Sequence, residues 1–337
     1  MNRDSYNRKS LSLLQKIMLT IATGFTVFIL CGIYVIDAFT WQQLYDFVGL
    51  TAPSQGQIEN SVPLVEDSGT DNNVPAFNPY TEKARVSFLS VGQSDCTIIH
   101  SGDKIAMIDA GDMGAASIII EYLKDNAIEK IDYLFITHPH ADHIGSVSAI
   151  ADSFDIGLCI MPHFSEDITP SGYTYVNMLK KLIEKGVETR LAGDDERFDM
   201  QNGAITVLSA GGFDNLNDCS LVLRFECENA TFLLMGDAGK TVEKWLISNT
   251  ESLKCDVLKA GHHGSKYSSS AQFITTVAPE FSVISCGEDN QYGYPTQEVL
   301  DIMQANDAKV LTTMYENVEI SVNTDGLTIL SKNEVTP

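Results

Sequence analysis

A cluster of three histidines and one aspartate constrains this chain more than any other feature. The segment THPHADHIG directly follows the apolar run 131–136. Such a run, ended by a polar break, is typical of a buried strand that delivers a loop. Side chains alternate along an extended loop, so we expect His138, His140 and Asp142 to point one way and His143 the other. Imidazole and carboxylate are ligand types that zinc and manganese accept, and two opposed sets predict a site for two metal ions.

A loop of ordinary surface histidines is the alternative interpretation of this cluster. The chain has only 7 histidines in 337 residues, and three of them fall within this one segment. Chance clustering beside an aspartate is therefore a poor explanation, and we favour the metal site.

Two later segments supply further residues of the same types. Asp237 follows the apolar run 231–235, where a strand-end carboxylate can bridge metals, although Gly-Asp there is also typical of an ordinary turn. His262 and His263 stand between glycines after the apolar run 257–259, and adjacent histidines are uncommon in ordinary turns. Together, the three segments predict enough nitrogen and oxygen ligands for two adjacent metal ions.

The N-terminal residues predict a membrane anchor. Residues 17–36 carry no charge, and as a helix they would span about 30 Å, the thickness of a bilayer core. Residues 1–16 are basic, so the positive-inside rule places them in the cytoplasm and the rest of the chain outside the cell. A cleaved signal peptide is the alternative, but the apolar run is too long and no small-x-small cleavage pattern follows it. We expect a single-pass anchor in the lipid bilayer.

Beyond the anchor, the composition divides the chain into a linker and one folded domain. Residues 37–83 predict a linker that is disordered in part, because its later half is rich in proline and small polar residues. Residues 84–332 alternate short apolar runs with amphipathic stretches, which predicts α/β layers. Helices are predicted at 115–123, from about Asp142, and at 173–185, 240–247 and 299–304. Strands are predicted at 86–91, 97–99, 105–108, 131–136, 158–161, 204–208, 221–225, 231–235, 257–259 and 281–285, with short strands after Lys309.

The charge of the chain limits its partners. It has 22 Lys and Arg against 45 Asp and Glu, a net charge of −23. A surface this acidic repels phosphate backbones unless bound metal cations offset the charge locally. This argues against a dedicated nucleic-acid binder, but not against an enzyme that acts on phosphodiesters at a metal centre.

The histidine cluster, the strand-end Asp237 and the distal histidine pair resemble the metallo-β-lactamase superfamily. More narrowly, the chain resembles the extracellular hydrolase domain of ComEC-type competence proteins and its stand-alone relatives. Asp109 lies in a segment that looks like the superfamily's first motif, whose aspartate orients the metal loop. The resemblance covers about residues 84–331 and is carried by segments 88–95, 108–111, 137–145, 220–224, 234–237, 261–270 and 290–295.

The resemblance implies a four-layer αββα sandwich, preceded here by one transmembrane helix, with the active site along one edge of two sheets. It implies two divalent metal ions, zinc or manganese, and a phosphodiester as the bond cleaved. The implied ligands are His138, His140, Asp142, His143, Asp237 and His263. Asp142 would also orient the attacking hydroxide, which a pair of metals generates near neutral pH, while His262 would face the phosphoryl group as a donor or general acid.

One departure from the superfamily narrows the function. The superfamily places another histidine ligand between the first loop and Asp237, whereas segment 217–220 contains none and has Cys219 instead. The site therefore resembles phosphodiester enzymes more closely than β-lactamases, with a wall-polymer head group or a nucleic acid as substrate. Hydrolysis of another ester or lactone, or a non-catalytic binding module that retains the fold, are the alternatives. No dedicated protein partner is implied.

Overall fold

The computed structural model describes residues 74–164, 168 and 170–331. The predicted anchor at 17–36 and the linker up to residue 73 lie outside the described residues. Within the described ranges, no helix has both the length and the apolar character needed to cross a bilayer.

The strands of the described ranges form two sheets. In chain order they are β1 (Ala84–Phe88), β2 (Thr97–Ser101), β3 (Lys104–Ile108), β4 (Lys130–Phe135), β5 (Asp155–Met161), β6 (Glu188–Leu191), β7 (Arg197–Met200), β8 (Gly203–Ser209), β9 (Val222–Cys227), β10 (Ala230–Leu234), β11 (Val257–Lys259), β12 (Phe281–Ile284), β13 (Lys309–Thr312), β14 (Val318–Asn323) and β15 (Gly326–Ile329). The first sheet has the order β15-β14-β1-β2-β3-β4-β5-β6, and the second has the order β13-β12-β11-β10-β9-β8-β7. Strand β1 therefore joins the beginning of the domain to its last hairpin.

Helices cover the outer face of each sheet. They are α1 (Ala116–Asp125), α2 (Ala141–Ile144), α3 (Val147–Ser153), α4 (Tyr173–Glu184), α5 (Lys240–Asn249), α6 (Ala271–Val277) and α7 (Gln297–Ala305), with short 3₁₀ turns at Met113–Ala115 and Gly261–Gly264. Helices α1 to α4 pack on the first sheet and α5 to α7 on the second. The predicted α/β sandwich with two sheets is confirmed.

Three apolar cores hold these layers together. Phe88, Phe135, Phe225 and Phe232 belong to the core between the sheets, to which both sheets contribute. A second core joins α1 and α4 to the first sheet, and a third joins α5, α6 and α7 to the second sheet. Each large apolar side chain that is fully buried in these cores stabilises the fold by about 1.5–3 kcal/mol.

The directions of the strands decide where the loops meet. Strands β3 and β4 are parallel, and β1 shares their direction because it pairs antiparallel with β2, which pairs antiparallel with β3. In the second sheet, β10, β11 and β12 are parallel. The carboxyl ends of these strands deliver loops to one edge of the sandwich, which is where α/β proteins commonly place ligands.

Candidate metal centre

The first histidine segment leaves the carboxyl end of β4. It is extended only as far as His140, and helix α2 begins at Ala141. Asp142 and His143 are therefore presented by a helical turn, and the strictly alternating extended loop that we predicted is wrong. His138 and His143 are fully buried, whereas His140 and Asp142 are half-buried. The helical turn brings His143 to the inner side of the segment, with Asp142 nearer to solvent.

Asp237, buried at the carboxyl end of β10, lies at the centre of the site. Its Oδ1 atom is 3.5 Å from His143 Nε2 and 3.7 Å from His263 Nε2. Its Oδ2 atom is 3.6 Å from His138 Nε2 and 3.7 Å from His262 Nε2. The two oxygens of one carboxylate therefore face two separate groups of imidazoles.

Two overlapping groups of donor atoms are close enough to hold metal ions. One consists of His138, His140 and Asp237, and the other of Asp95, His143, Asp237 and His263, with the ligand atoms of each group within 4.8 Å of one another. Several of these atoms are buried without a hydrogen-bond partner, among them His143 Nε2 and His263 Nε2. Buried polar atoms rarely lack a partner, and these nitrogens and carboxylate oxygens suit divalent zinc or manganese, so the residues present fit the metals that the sequence predicts.

Hydrogen bonds at the Nδ1 atoms orient the rings of His143 and His263, whose Nε2 atoms face the cluster. Asp109 accepts hydrogen bonds from the Thr137 backbone N–H (2.8 Å) and hydroxyl (2.6 Å), and its Oδ2 is 2.7 Å from His143 Nδ1. His263 Nδ1 donates to the backbone carbonyl of Ser285 at 3.0 Å. A carbonyl only accepts, so in the neutral ring Nδ1 carries the proton and Nε2 has the lone pair that a metal ligand requires. Asp109 occupies the orienting position that the family resemblance implies.

The second histidine segment is a strained 3₁₀ turn. His262 and His263 have φ of 49° and 53°, in the left-handed region that non-glycine residues seldom occupy. Gly264 follows with φ of 78°, and a Cβ there would lie 2.7 Å from Pro295 Cβ. Such backbone strain costs about 1–3 kcal/mol per residue and is concentrated at functional sites. The turn places His263 inside the cluster and His262 at its mouth.

Burial and neighbouring charges set the protonation of the site. Burial lowers the pKa of His138 well below its usual value, which keeps this imidazole neutral. Burial acts to raise the pKa of Asp142, but its contact with His263 and the nearby charge of His143 together outweigh burial and lower the pKa to about 2. Burial similarly opposes ionisation of Asp237, yet the surrounding histidines, His143 foremost, hold its pKa well below the usual range. Both carboxyl groups are therefore ionised at neutral pH, as metal ligands must be.

A cleft of about 310 Å³ opens over the cluster. His140, Asp142 and His262 line one part of it, and the rings of Tyr292 and Tyr294 line another part, stacked with centroids 5.5 Å apart. Gln93 and Asn217 also line the cleft, and each has one buried amide atom without a hydrogen-bond partner. The cleft therefore combines ionised groups, an aromatic wall and free amide groups.

Several residues of the site were not predicted from the sequence. Cys219 is buried, its thiol donates to the Phe213 carbonyl at 3.2 Å, and it belongs to neither donor group. Asp95, Gln93 and Asn217 were not predicted as site residues. Asp95 and Gln93 belong to a segment that carries the family resemblance, and this position was the signal that could have indicated them.

Comparison with known proteins agrees with this geometry. The family model of the metallo-beta-lactamase superfamily matches residues 89–288. The chain is 26% identical over 257 residues to ComE operon protein 3 of Bacillus subtilis, covering 69% of this chain and 32% of that protein. It is 27% identical over 234 residues to competence protein ComA of Neisseria gonorrhoeae, covering 68% and 31%. The chain thus matches about a third of the length of these relatives.

One solved structure shows the same fold. CmlA, a diiron beta-hydroxylase from Streptomyces venezuelae, superposes with a TM-score of 0.50 at 12% identity, over 71% of this chain and 54% of that one. At this identity the likeness concerns the fold alone.

Proposed function

We propose that this chain, which belongs to the metallo-beta-lactamase superfamily, is a membrane-anchored metal-dependent hydrolase that cleaves a phosphodiester. The observation that carries the proposal is the position of Asp237. Its two oxygens face two groups of imidazoles at the carboxyl ends of the strands. A carboxylate shared in this way is suited to two adjacent divalent ions, a common arrangement in phosphoesterases.

Different residues of the cleft would have different roles in such a reaction. Bound metals would supply an activated water near neutral pH and neutralise charge on the phosphoryl oxygens. Asp142 is ionised and half-buried at the cleft, where its carboxylate can orient the attacking water. His262 lies at the mouth, and burial lowers its pKa, so that it is neutral and can donate a hydrogen bond to a phosphoryl oxygen or the leaving group.

The donor set favours a phosphodiester over a β-lactam. The group around His138, His140 and Asp237 contains three residues, and segment 217–220 adds no histidine to it. Fewer protein ligands leave more open positions for substrate oxygens. One relative is named a competence protein, which supports including DNA among the candidate substrates beside a wall-polymer head group.

We also propose that the enzyme works outside the cell. The uncharged stretch 17–36 would anchor it in the bilayer, and the basic residues before it would remain in the cytoplasm. The partner implied is therefore the lipid bilayer itself, with no dedicated protein partner.

The test uses the full chain, purified in detergent and loaded with zinc or manganese. We expect hydrolysis of bis-p-nitrophenyl phosphate and of single-stranded DNA or a phosphocholine ester, with no hydrolysis of a β-lactam. His262→Asn should lower kcat by about 10²–10⁴-fold without releasing metal, because the residue acts on the substrate. His100→Gln is the matched control, since His100 stacks on Phe77 and belongs to neither donor group.

Each of the other outcomes selects an alternative. Hydrolysis of the lactam or of a carboxylic ester alone would reject the phosphodiester. A metal-loaded protein without any hydrolytic activity would support the binding module. Full activity and metal content in His140→Ala would show that the donor groups have been assigned wrongly.

A further inference from the structure

Four buried atoms without hydrogen-bond partners surround one point of the site. They are Asp95 Oδ1, His143 Nε2, Asp237 Oδ1 and His263 Nε2. One ligand atom from each of these four residues lies within 4.8 Å of those of the others, and the residues are almost completely buried. Leaving such buried atoms unpaired is unfavourable, and more so for charged groups. Their convergence indicates a common cation as the missing partner.

Asp95 is held so that only one of its oxygens is free. Its Oδ2 accepts a hydrogen bond from Lys259 Nζ at 2.9 Å, and the two side chains are 6% and 4% exposed. Lys259 Nζ also donates to the Ala260 carbonyl at 3.1 Å. The Asp95 backbone is fixed as well, because its N–H donates to the Asp142 carbonyl and its carbonyl accepts from Gly111 N–H. The free Oδ1 atom therefore has a fixed position at the cluster.

The pair joins the two sheets at the site. Asp95 belongs to the loop after β1, in the first sheet, and Lys259 is the last residue of β11, in the second. A buried ammonium adds a positive charge beside a site for cations, which would weaken metal binding unless a carboxylate offsets it. One oxygen of Asp95 offsets the charge of Lys259, and the other oxygen stays available to bind a metal ion.

We propose that Asp95 is a ligand of the metal held by His143, Asp237 and His263, and that Lys259 is the positioning residue that aims its free oxygen. The two metal positions are then unequal. The position with Asp95 is enclosed by four buried side chains, whereas the position at His138 and His140 has three ligand residues, one of them half-buried. The enclosed ion should be bound more tightly and exchange more slowly. This inference rests on the metal-dependent function proposed above.

The experiment counts metal and needs no substrate. The full chain in detergent is loaded with Zn²⁺, dialysed against a weak chelator, and its zinc content and affinity are measured. We expect two zinc ions in the unaltered chain. Asp95→Asn should bind one of the two at least tenfold more weakly, because it loses a charged ligand atom. Lys259→Met should weaken binding of the same ion by less than Asp95→Asn does, because Asp95 loses the residue that aims it but the ligand atom itself remains.

A purely structural ion pair would give a different result. In that case Asp95→Asn and Lys259→Met would lose metal to the same extent, or neither would lose any, and either outcome would overturn the proposal. Glu319→Gln is the matched control, since Glu319 forms a buried ion pair with Arg85 on β1, outside both donor groups. It should lower the thermal midpoint and leave the zinc content at two.

A second variant guards against misfolding. Asp95→Asn leaves Lys259 without its partner, so the double variant Asp95→Asn/Lys259→Met replaces the pair by neutral side chains. This double variant should fold and should still bind one of the two zinc ions more weakly. A double variant that binds both ions tightly would also overturn the proposal. If the unaltered chain binds two zinc ions but cleaves no phosphodiester, the proposed function fails and the role of Asp95 stands.

Discussion

His143 shows how much one side chain in this site depends on its neighbours. Asp109 lies at one ring nitrogen and Asp237 at the other, with both imidazole and carboxylates buried. Burial alone would lower the pKa of His143, but the two carboxylates raise it well above the usual value. His263 behaves similarly, because Asp237 and Asp142 outweigh the effect of burial on its pKa. In the absence of metal, these imidazoles therefore hold protons where a cation belongs.

This protonation predicts opposite pH effects with and without metal. A histidine whose pKa is raised by folding stabilises the protein below its unfolded pKa, and this stability is lost as the pH rises through the folded pKa. The pKa values of His138 and His262 are lowered by folding. Above the ordinary histidine pKa of 6.5, both are therefore neutral in the folded and in the unfolded protein, and they do not make stability depend on pH. The metal-free protein should therefore lose stability over the pH range that begins at about 6.5 and extends upward through the raised pKa values of His143 and His263. The zinc-loaded protein should instead be destabilised as the pH falls below this range, because protons displace zinc.

Thermal unfolding of both forms across this pH range tests the prediction. The metal-free sample, prepared with a chelator, should show a falling midpoint, and the zinc-loaded sample should not. A metal-free midpoint that rises with pH would mean that His143 and His263 are neutral in the folded protein.

At the scale of single residues, the sequence predicted the candidate ligands that stand in recognisable motifs, including the distant Asp237 and His263, and missed Asp95. His138, His140, Asp142 and His143 form one short motif, whose spacing alone indicates metal binding. Asp95 has no such neighbours, and its partner Lys259 is 164 residues away. A contact of that separation depends on the packing of two sheets, which spacing cannot indicate.

Among the elements, helix α2 is packed closely against the backbone of the turn at Met113. Gly145 follows it directly, and the Gly145 N–H donates to the Gly111 carbonyl at 2.8 Å. A Cβ on Gly145 would lie 2.4 Å from Met113 N and 2.6 Å from Ala141 O. Both of these are backbone atoms, which cannot rotate away. The position of the helix that presents Asp142 and His143 therefore depends on the absence of a side chain here.

Gly145→Ala should destabilise the domain by about 1–3 kcal/mol, the usual cost of overpacking, and should weaken zinc binding through the displaced α2. Gly172→Ala is the control, because a Cβ there meets nothing within 4 Å and Gly172 has an ordinary φ of −62°. Denaturant unfolding and zinc titration measure the two effects. Equal stability and equal zinc affinity in the two variants would show that α2 tolerates displacement.

The predicted elements were right where the apolar pattern was strong. Each predicted strand and helix overlaps one in the structure, but helix α6 and strands β6 and β7 were missed. Both strands lie at the edge of a sheet, and their sequences, ETRL and RFDM, are rich in charged residues. Charged side chains are usual on edge strands because one side faces solvent and must not pair with another chain. A hydrophobic pattern therefore indicates central strands better than edge strands.

At the scale of the whole molecule, the charge of −23 should oppose long polyanions. Repulsion between like charges weakens as salt shortens the screening length, which is about 10 Å at 0.1 M. If DNA is a substrate, kcat/KM for long single-stranded DNA should rise between about 0.02 M and 0.2 M salt, the reverse of the usual protein–DNA behaviour. Hydrolysis of bis-p-nitrophenyl phosphate, with its single charge, is the control and should change little. Slower DNA cleavage at higher salt would mean that a local basic surface binds the strand.

The pairing of β1 with β14 has a consequence for how the domain is made. Arg85 on β1 and Glu319 on β14 are 234 residues apart in the chain, yet they form one buried ion pair. On a ribosome, β1 emerges before the other strands of the domain and keeps one edge unpaired until the last strands have followed. The first sheet is therefore completed only after nearly the whole domain has emerged. We expect the final folding of the domain to be a late event.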